Sequence, residues 1–342
     1  MENLSKNKRD KLIAAAACSL IFLIVMTITI VTITRGSTPS RPLHQQYKLT
    51  PPPKQEYKLQ QQQKTEKEAP KRPQYGNFDS SNMLELPARF KKYKYSAGII
   101  VDLTNRRILW AKNEDKILPI ASISKLMTLY TALDIMKQRG VSLKSTVEVT
   151  RRCTLENPVK APLKVGSKIS LDDLFKYAML KSANDAAYLI AEYFGNGDAG
   201  SFIRKMNSQA HSIGMKSSHF VNANGLPIYQ GNSTHNAKMN KSSCMDLILL
   251  MERIAEQPQI MRYTAMKEAL MPDGKEIKNG NRLLGSVRGM NGMKTGYTNA
   301  AGHCLAFSCK RNNRMLIGVV LGCSKIERDI FTRELIEWGF DN

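Results

Sequence analysis

The sequence predicts an α/β domain in which helices flank a mostly antiparallel sheet. Two observations favour this fold class: strand-like patterns lie at both ends of the globular part of the chain, and apolar residues recur at helical spacing between them. A third observation sets the limits of the domain. The first quarter of the 342 residues has a composition that cannot build a core, so we expect the globular domain to cover 84–342.

The predicted elements follow one another along this domain. Strand patterns over 96–102 and 106–111 are joined by a short polar turn, which is typical of a hairpin. A core helix begins near Ser122, and a second helix opens at Ser170 with a Ser-x-x-Asp sequence that resembles a capping box. Ser182 begins a short turn. The remaining elements are helices from about 186 and over 243–254, strands over 303–308 and 315–321, and a closing helix over 328–338.

The N-terminal segment has the pattern of a membrane anchor. Residues 1–11 carry several Lys and Arg side chains, whereas 12–34 are uncharged and, as a helix, about 35 Å long, enough to span a bilayer. The positive-inside rule keeps 1–11 in the cytoplasm and places the globular domain on the other side of the membrane. A cleaved signal peptide is the alternative, although no good small-x-small cleavage site follows the apolar run.

Residues 35–83 are rich in Pro, Gln, Lys and Ser, and we expect a linker there. A flexible chain of this length has a span of roughly 35–40 Å, which would hold the globular domain away from the membrane. Disordered filler without a spacing role is the alternative.

The formal net charge of +22 bears on partners. A basic exported domain attracts anionic lipids or wall polymers, and simple solvation explains a basic surface equally well. Nucleic acid is not expected, because no binding motif is visible and the domain is predicted to lie outside the cytoplasm.

The six cysteines show no Cys-x-x-Cys or Cys/His spacing, so neither a metal nor another cofactor is expected. Cys309 and Cys323 end two adjacent strand patterns, so their side chains could lie close to one another, but buried free thiols are the favoured interpretation.

Three short motifs carry the chemistry: Ser122-Ile-Ser-Lys125, Ser182-Ala-Asn184 and Lys294-Thr295-Gly296. A serine hydroxyl needs a nearby base, and a spacing of three residues places Ser122 and Lys125 on one helix face. Lys125 accepts a proton only when it is neutral. Burial lowers the pKa of a lysine, and Lys294 is the candidate second cation that lowers it further. The helix start at Ser122 favours developing negative charge.

The other motif positions have candidate roles in the same site. Ser182 is placed to relay a proton, and Asn184 to bond the peptide group of a substrate. Thr295 can bond a terminal carboxylate, and Gly296 permits close approach of a substrate backbone. Each motif alone has an ordinary structural interpretation, as a helix cap, a plain turn or the end of a basic edge strand.

A Ser-His-Asp triad is not indicated, since no Gly-x-Ser-x-Gly sequence occurs. We interpret the histidines, including His303, as structural residues.

The stretch from about 96 to 340 resembles the D-alanyl-D-alanine carboxypeptidase family, the low-molecular-mass penicillin-binding proteins. The resemblance lies in 119–128, 182–187, 222–227, 281–284 and 292–302. It implies the fold shared by DD-peptidases and β-lactamases. It also implies three catalytic residues: Ser122 as the acylated nucleophile, Lys125 as its base, and Ser182. It also implies substrate contacts from Asn184, Lys294, Thr295, Gly296, Tyr297 and Arg328, and an oxyanion hole made by the backbone N–H groups of Ser122 and Tyr297. Tyr297 stands where many members have histidine.

The resemblance implies a serine-type D-Ala-D-Ala carboxypeptidase that trims peptidoglycan stem peptides, is inhibited covalently by β-lactams and needs no cofactor. With the anchor, it would be a single-pass protein of the bacterial cytoplasmic membrane. A D,D-endopeptidase that cuts peptidoglycan crosslinks is the alternative, since segment 296–303 is also similar to the endopeptidase branch. A β-lactamase is disfavoured because no Glu-x-x-x-Asn element follows Asn184. A membrane-bound β-lactam sensor is disfavoured because the predicted cytoplasmic part is too short for a signalling output.

Overall fold

A computed structural model describes residues 78–229 and 237–342. The predicted cytoplasmic stub, the anchor over 12–34 and almost all of the linker lie outside these residues. Within the part of the chain that is described, no helix combines the length and the apolar character needed to cross a bilayer.

The described strands, in chain order, are β1 (Ala97–Asp102), β2 (Arg107–Lys112), β3 (Leu118–Pro119), β4 (Thr146–Glu148), β5 (Lys168–Ser170), β6 (Lys241–Ser242), β7 (Glu268–Leu270), β8 (Glu276–Lys278), β9 (Met290–Thr298), β10 (Gly302–Arg311) and β11 (Arg314–Cys323). The α-helices are α1 (Lys125–Arg139), α2 (Leu171–Lys176), α3 (Asn184–Phe194), α4 (Ala199–Ser212), α5 (Cys244–Ala255), α6 (Pro258–Ala265) and α7 (Lys325–Asp341). Short 3₁₀ turns cover Ala88–Lys92, Ala121–Ser124 and Cys153–Leu155, and a π-helical turn covers Tyr177–Lys181.

One five-stranded antiparallel sheet organises the domain, with the strand order β2-β1-β11-β10-β9. Because β1 pairs with β11, the sheet joins the first and last strands of the domain. Helices α1 to α6 lie between β2 and β9 in the sequence. The predicted α/β class with an antiparallel sheet is confirmed.

Alternation along the strands gives the sheet two apolar faces. On β1, Ile99 and Val101 belong to the larger core, which contains apolar residues of α1, α3 and α5. Ile100 belongs to the smaller core, in which α7 packs. The sheet is therefore covered on both sides, which fixes its register because a slip of one residue would exchange the two faces.

Phe331 on α7 is the centre of an aromatic cluster in the smaller core. Its ring lies 4.7 Å from that of Tyr95 in a stacked arrangement and 6.2 Å from that of Trp110 in an edge-on one. Phe90 and Tyr93 contact the same ring. The cluster thus holds the segment before β1 against the closing helix.

The local sequence signals for most helix starts are confirmed. Ser170 caps α2 by accepting the backbone N–H of Asp173, and Ser243 caps α5 in the same way. Helices α4 and α6 lie where no element was predicted. Only Phe202, Met206 and Ala210 are buried on α4, a narrow stripe that leaves a weak apolar pattern.

The Lys-Thr-Gly motif lies inside β9, a strand that was not predicted, at the edge of the main sheet. Contacts with the domain also begin before the expected boundary at Leu84, since Phe78 is buried and Asp79 bonds the backbone of Arg106 and Ile108. The expectation for the cysteines is confirmed among the described residues, where Cys153, Cys244, Cys304, Cys309 and Cys323 are free and buried.

The aromatic cluster predicts the effect of a core substitution. Phe331→Ala removes a fully buried ring and leaves a cavity, so we expect the free energy of unfolding to fall by about 3–5 kcal/mol. The neighbouring side chain of Ile330 is 45% exposed, and Ile330→Ala should change stability by less than about 0.5 kcal/mol. Urea unfolding of both variants checks this. Equal losses would contradict the assignment of Phe331 as the anchor of α7.

Candidate active site

The backbone around Ser122 is held in an unusual conformation. Ser122 lies in the 3₁₀ turn that leads into α1, and Ala121 before it has a φ of 47°, in the left-handed region. Two glycines press against this turn. A Cβ on Gly225 would lie 2.1 Å from the Ala121 carbonyl oxygen, and one on Gly296 would lie 2.9 Å from the Ile120 carbonyl oxygen. The close approach that requires glycine at 296 is therefore to the turn that carries Ser122.

Lys125 lies one turn after Ser122 and has no solvent exposure. Its Nζ is 2.9 Å from Ser122 Oγ, as the helical spacing predicts. The same Nζ donates hydrogen bonds to Asn184 Oδ1 at 2.9 Å and to the Asn224 carbonyl oxygen at 2.7 Å. The amine therefore has three polar neighbours.

The charge state of Lys125 follows from its surroundings. Burial, followed by the positive charge of Lys294, holds the pKa of the Lys125 amine well below its ordinary value, and Asp185 and Glu156 oppose this effect. Lys294 is also buried, and burial together with the charge of Arg328 lowers its pKa to about 7. The predicted electrostatic link between the two lysines is thus present in the structure.

A neutral amine has two N–H groups and one lone pair. When the Lys125 amine is neutral, its two N–H groups can be donated to Asn184 and Asn224, and its lone pair is then free to accept the hydroxyl proton of Ser122. This is the arrangement of a general base beside its nucleophile.

The second motif sits where helix geometry changes. The π-helical turn Tyr177–Lys181 ends at Ser182, whose φ of 61° is left-handed, and α3 starts two residues later at Asn184. Asn184 Nδ2 donates to the Asn157 carbonyl at 3.3 Å. The next residue, Asp185, is buried and accepts the backbone N–H of Ala161 at 2.9 Å. The motif is therefore tied to the loop 156–161.

The motif residues surround one cavity of about 320 Å³. The predicted site residues that line it are Ser122, Ser182, Asn184, Thr295, Gly296, Tyr297 and Arg328. Lys125 and Lys294 are buried and do not line it. Lys294 Nζ donates to the Thr295 carbonyl at 3.0 Å. The structure therefore places every predicted site residue in or directly behind one cavity.

The sequence analysis missed several residues of this site. The Asn224 carbonyl holds Lys125, and Arg282 and Lys325 add positive charge to the cavity wall. His303, interpreted as structural, also lines the cavity and stacks on Tyr297 with 4.2 Å between ring centroids. Burial first, then the charges of Arg328 and Lys325, lower the pKa of His303. The contact follows from the β9–β10 pairing, which sets His303 opposite Tyr297. Because β9 was not predicted, no sequence signal pointed to this contact.

Comparisons with known proteins find relatives over the part of the chain that contains this site. A family model described as D-alanyl-D-alanine carboxypeptidase matches residues 87–325. The D-alanyl-D-alanine carboxypeptidase DacF of Bacillus subtilis is 25% identical over 253 residues, which are 72% of this chain and 62% of that protein. The D-alanyl-D-alanine endopeptidase of Escherichia coli is 30% identical over 231 residues, which are 66% of this chain and 70% of that protein. The match to DacF thus spans less than two thirds of that relative.

Solved structures are similar over the same region. Penicillin-binding protein D2 from Listeria monocytogenes, in its ampicillin-bound form, has a TM-score of 0.63 and 30% identity, and the match covers 72% of this chain and 97% of that one. A variant of a Streptomyces DD-transpeptidase has a TM-score of 0.65 and 26% identity, with 73% and 99% covered. The fold, the three motifs in one cavity and the family match lead to one conclusion: the chain belongs to the D-alanyl-D-alanine carboxypeptidase family.

Proposed function

We propose that the protein is a serine-type D-Ala-D-Ala carboxypeptidase that removes the terminal D-alanine from peptidoglycan stem peptides. The observation that carries the proposal is the geometry at Lys125, whose two N–H groups are engaged by Asn184 and Asn224 while Ser122 Oγ lies 2.9 Å away. Such a site activates a serine hydroxyl without a histidine.

In the proposed acylation, Lys125 Nζ takes the hydroxyl proton while Ser122 Oγ attacks the carbonyl carbon of the penultimate D-alanine. The tetrahedral oxyanion lies against the backbone N–H groups of Ser122 and Tyr297. The first turn of a helix leaves such N–H groups without intrahelical partners, which suits the position of Ser122. The C–N bond then breaks, and the leaving amine of D-alanine receives the proton through Ser182, which lines the same cavity.

In deacylation, water is the nucleophile and Ser122 Oγ is the leaving group. A water molecule attacks the acyl-Ser122 ester, Lys125 accepts its proton, and the proton passes to Ser122 Oγ as the ester bond breaks. The product is a stem peptide shortened by one D-alanine, and the enzyme is restored.

The substrate contacts follow from the cavity wall. Thr295 and Arg328 bind the terminal carboxylate, and Asn184 bonds the peptide group of the substrate. Arg328 is only 6% exposed, and Asp329 partners its guanidinium at 2.6 Å, so its orientation is fixed. A β-lactam carries a comparable carboxylate beside a reactive amide and acylates the same serine in this proposal.

We further propose that 12–34 anchor the protein in the bacterial cytoplasmic membrane as a single span, with the catalytic domain on the periplasmic or extracellular side. The support is the uncharged apolar run preceded by basic residues.

A second candidate is a D,D-endopeptidase acting on peptidoglycan crosslinks. The similarity to the endopeptidase of Escherichia coli favours it. So does the cavity wall, because the exposed cations Arg282 and Lys325 add to Arg328, and a crosslinked leaving group carries more negative charge than D-alanine.

Labelling with a fluorescent penicillin tests the acyl-serine chemistry. Ser122→Ala should abolish labelling, because it removes the hydroxyl that is hydrogen-bonded to the Lys125 amine. Lys125→Met keeps the buried volume but removes the amine, and we expect acylation to slow by about 10³-fold. The matched controls are Ser208→Ala and Lys205→Met, which change exposed residues of α4 and should label normally. Labelling of Ser122→Ala, or an unchanged rate in Lys125→Met, would contradict the assignment.

Digestion of purified peptidoglycan fragments tests the substrate. We expect pentapeptide monomers to lose one D-alanine faster than crosslinked dimers are split, as followed by mass spectrometry with Ser122→Ala as the blank. Cleavage of dimers alone would favour the endopeptidase. Stable acylation by penicillin without any peptide product would support a β-lactam sensor and overturn the proposed function.

A further inference from the structure

A single loop, 156–161, supports both groups that accept hydrogen bonds from Lys125. Asn157 in this loop accepts a hydrogen bond from Asn184 Nδ2. Glu156 Oε2 accepts one from Asn224 Nδ2 at 2.6 Å. Glu156 is not among the residues that line the cavity, and it contacts Asn224 from behind the site.

Asn224 is buried and fixed at both ends of its side chain. Its Oδ1 accepts the backbone N–H of Leu226 at 2.9 Å, and its Nδ2 is held by Glu156. Gly225 follows with a φ of 89°, a conformation that few other residues adopt. The side chain thus sets the direction of the Asn224 carbonyl, which receives the Lys125 amine at 2.7 Å.

The charge of Glu156 also acts on the base. The charged groups that face Lys125 are Lys294, Asp185 and Glu156, and the last two favour its protonated form. The charged groups that face Glu156 are Lys125, Asp185 and Lys160. Burial raises the pKa of Glu156 above its ordinary value, although the hydrogen bond from Asn224 and the charge of Lys125 oppose this effect.

We propose that Glu156 is a positioning residue for the catalytic base: it holds Asn224 so that its carbonyl aligns the Lys125 amine, and the negative charge of its carboxylate acts on that amine from behind the cavity. The proposal rests on the proposed acyl-serine function. It assigns a role to a residue outside the three motifs and outside the cavity.

Removing the negative charge has a definite sign. Glu156 favours protonated Lys125, so its loss lowers the pKa of Lys125 further. The neutral fraction of the amine at acidic pH then rises, and the acid limb of the acylation rate moves to lower pH.

The test is the rate of acylation by fluorescent penicillin, measured in the full chain from about pH 4.5 to about pH 9, which lies between the ordinary pKa values of a glutamic acid and a lysine. Glu156→Gln keeps an acceptor for Asn224 but removes the charge, and we expect its acid limb to shift down by roughly 0.5–1 pH unit with a plateau close to that of the wild type. Glu156→Ala removes the acceptor as well, and we expect the plateau to fall about tenfold because the amine is less well aligned. Glu148→Gln, on the exposed face of β4, is the matched control and should leave the profile unchanged.

The outcomes separate this proposal from the proposed function. Wild-type protein that is not acylated at all would refute the function itself. If the wild type is acylated and the pH profile of Glu156→Gln superimposes on the wild-type profile, the charge role is refuted. The same holds if Glu148→Gln shows the same shift as Glu156→Gln. A Glu156→Ala plateau equal to that of the wild type would refute the positioning role. Thermal unfolding of each variant identifies misfolding, and Glu156→Gln keeps the test valid if Glu156→Ala does not fold.

Discussion

The site depends on one constraint: the amine of Lys125 is removed from water, yet it has three hydrogen-bond partners within the protein. Lys125 has no solvent exposure, and an isolated ammonium in such a place would be strongly destabilising. Two acceptors and the hydroxyl of Ser122 surround the nitrogen instead. A neutral amine satisfies this arrangement with two donated bonds and one accepted bond, and burial favours the neutral form. Burial and catalysis therefore favour the same protonation state.

The fold supplies this constraint through its most tightly packed part. The turn that carries Ser122 is enclosed by β9 on one side and by the 222–226 loop on the other, and glycine at 225 and 296 is what allows the backbones to approach. Lys294 extends from β9 into the interior and adds its charge behind Lys125. Because β9 is held through β10 and β11 to β1, the geometry of the nucleophile is tied to the sheet that joins both ends of the domain. The left-handed conformation of Ala121 is held in place by the same packing.

The sequence predicts the local part of this arrangement well. A spacing of three residues is enough to place Ser122 beside Lys125, and a Ser-x-x-Asp pattern is enough to begin α2 at Ser170. The groups that act across the fold are harder to predict. The acceptor at Asn224 is a backbone carbonyl, which no side-chain motif reveals, and Glu156 reaches the site only because its loop packs against the 222–226 loop. Likewise, the position of Lys-Thr-Gly within the edge strand β9 depends on how far the β9–β10 pairing extends.

The protonation state of Lys125 tests the account most directly. NMR of protein labelled with ¹³C at lysine Cε, with the Lys125 signal assigned by its loss in Lys125→Met, follows the titration of this amine in the free enzyme. The account predicts a pKa well below the ordinary lysine value, with the amine neutral where acylation is fastest. Titration near the ordinary value of about 10.4 would contradict it, because Lys125 would then be protonated and unable to accept the Ser122 proton.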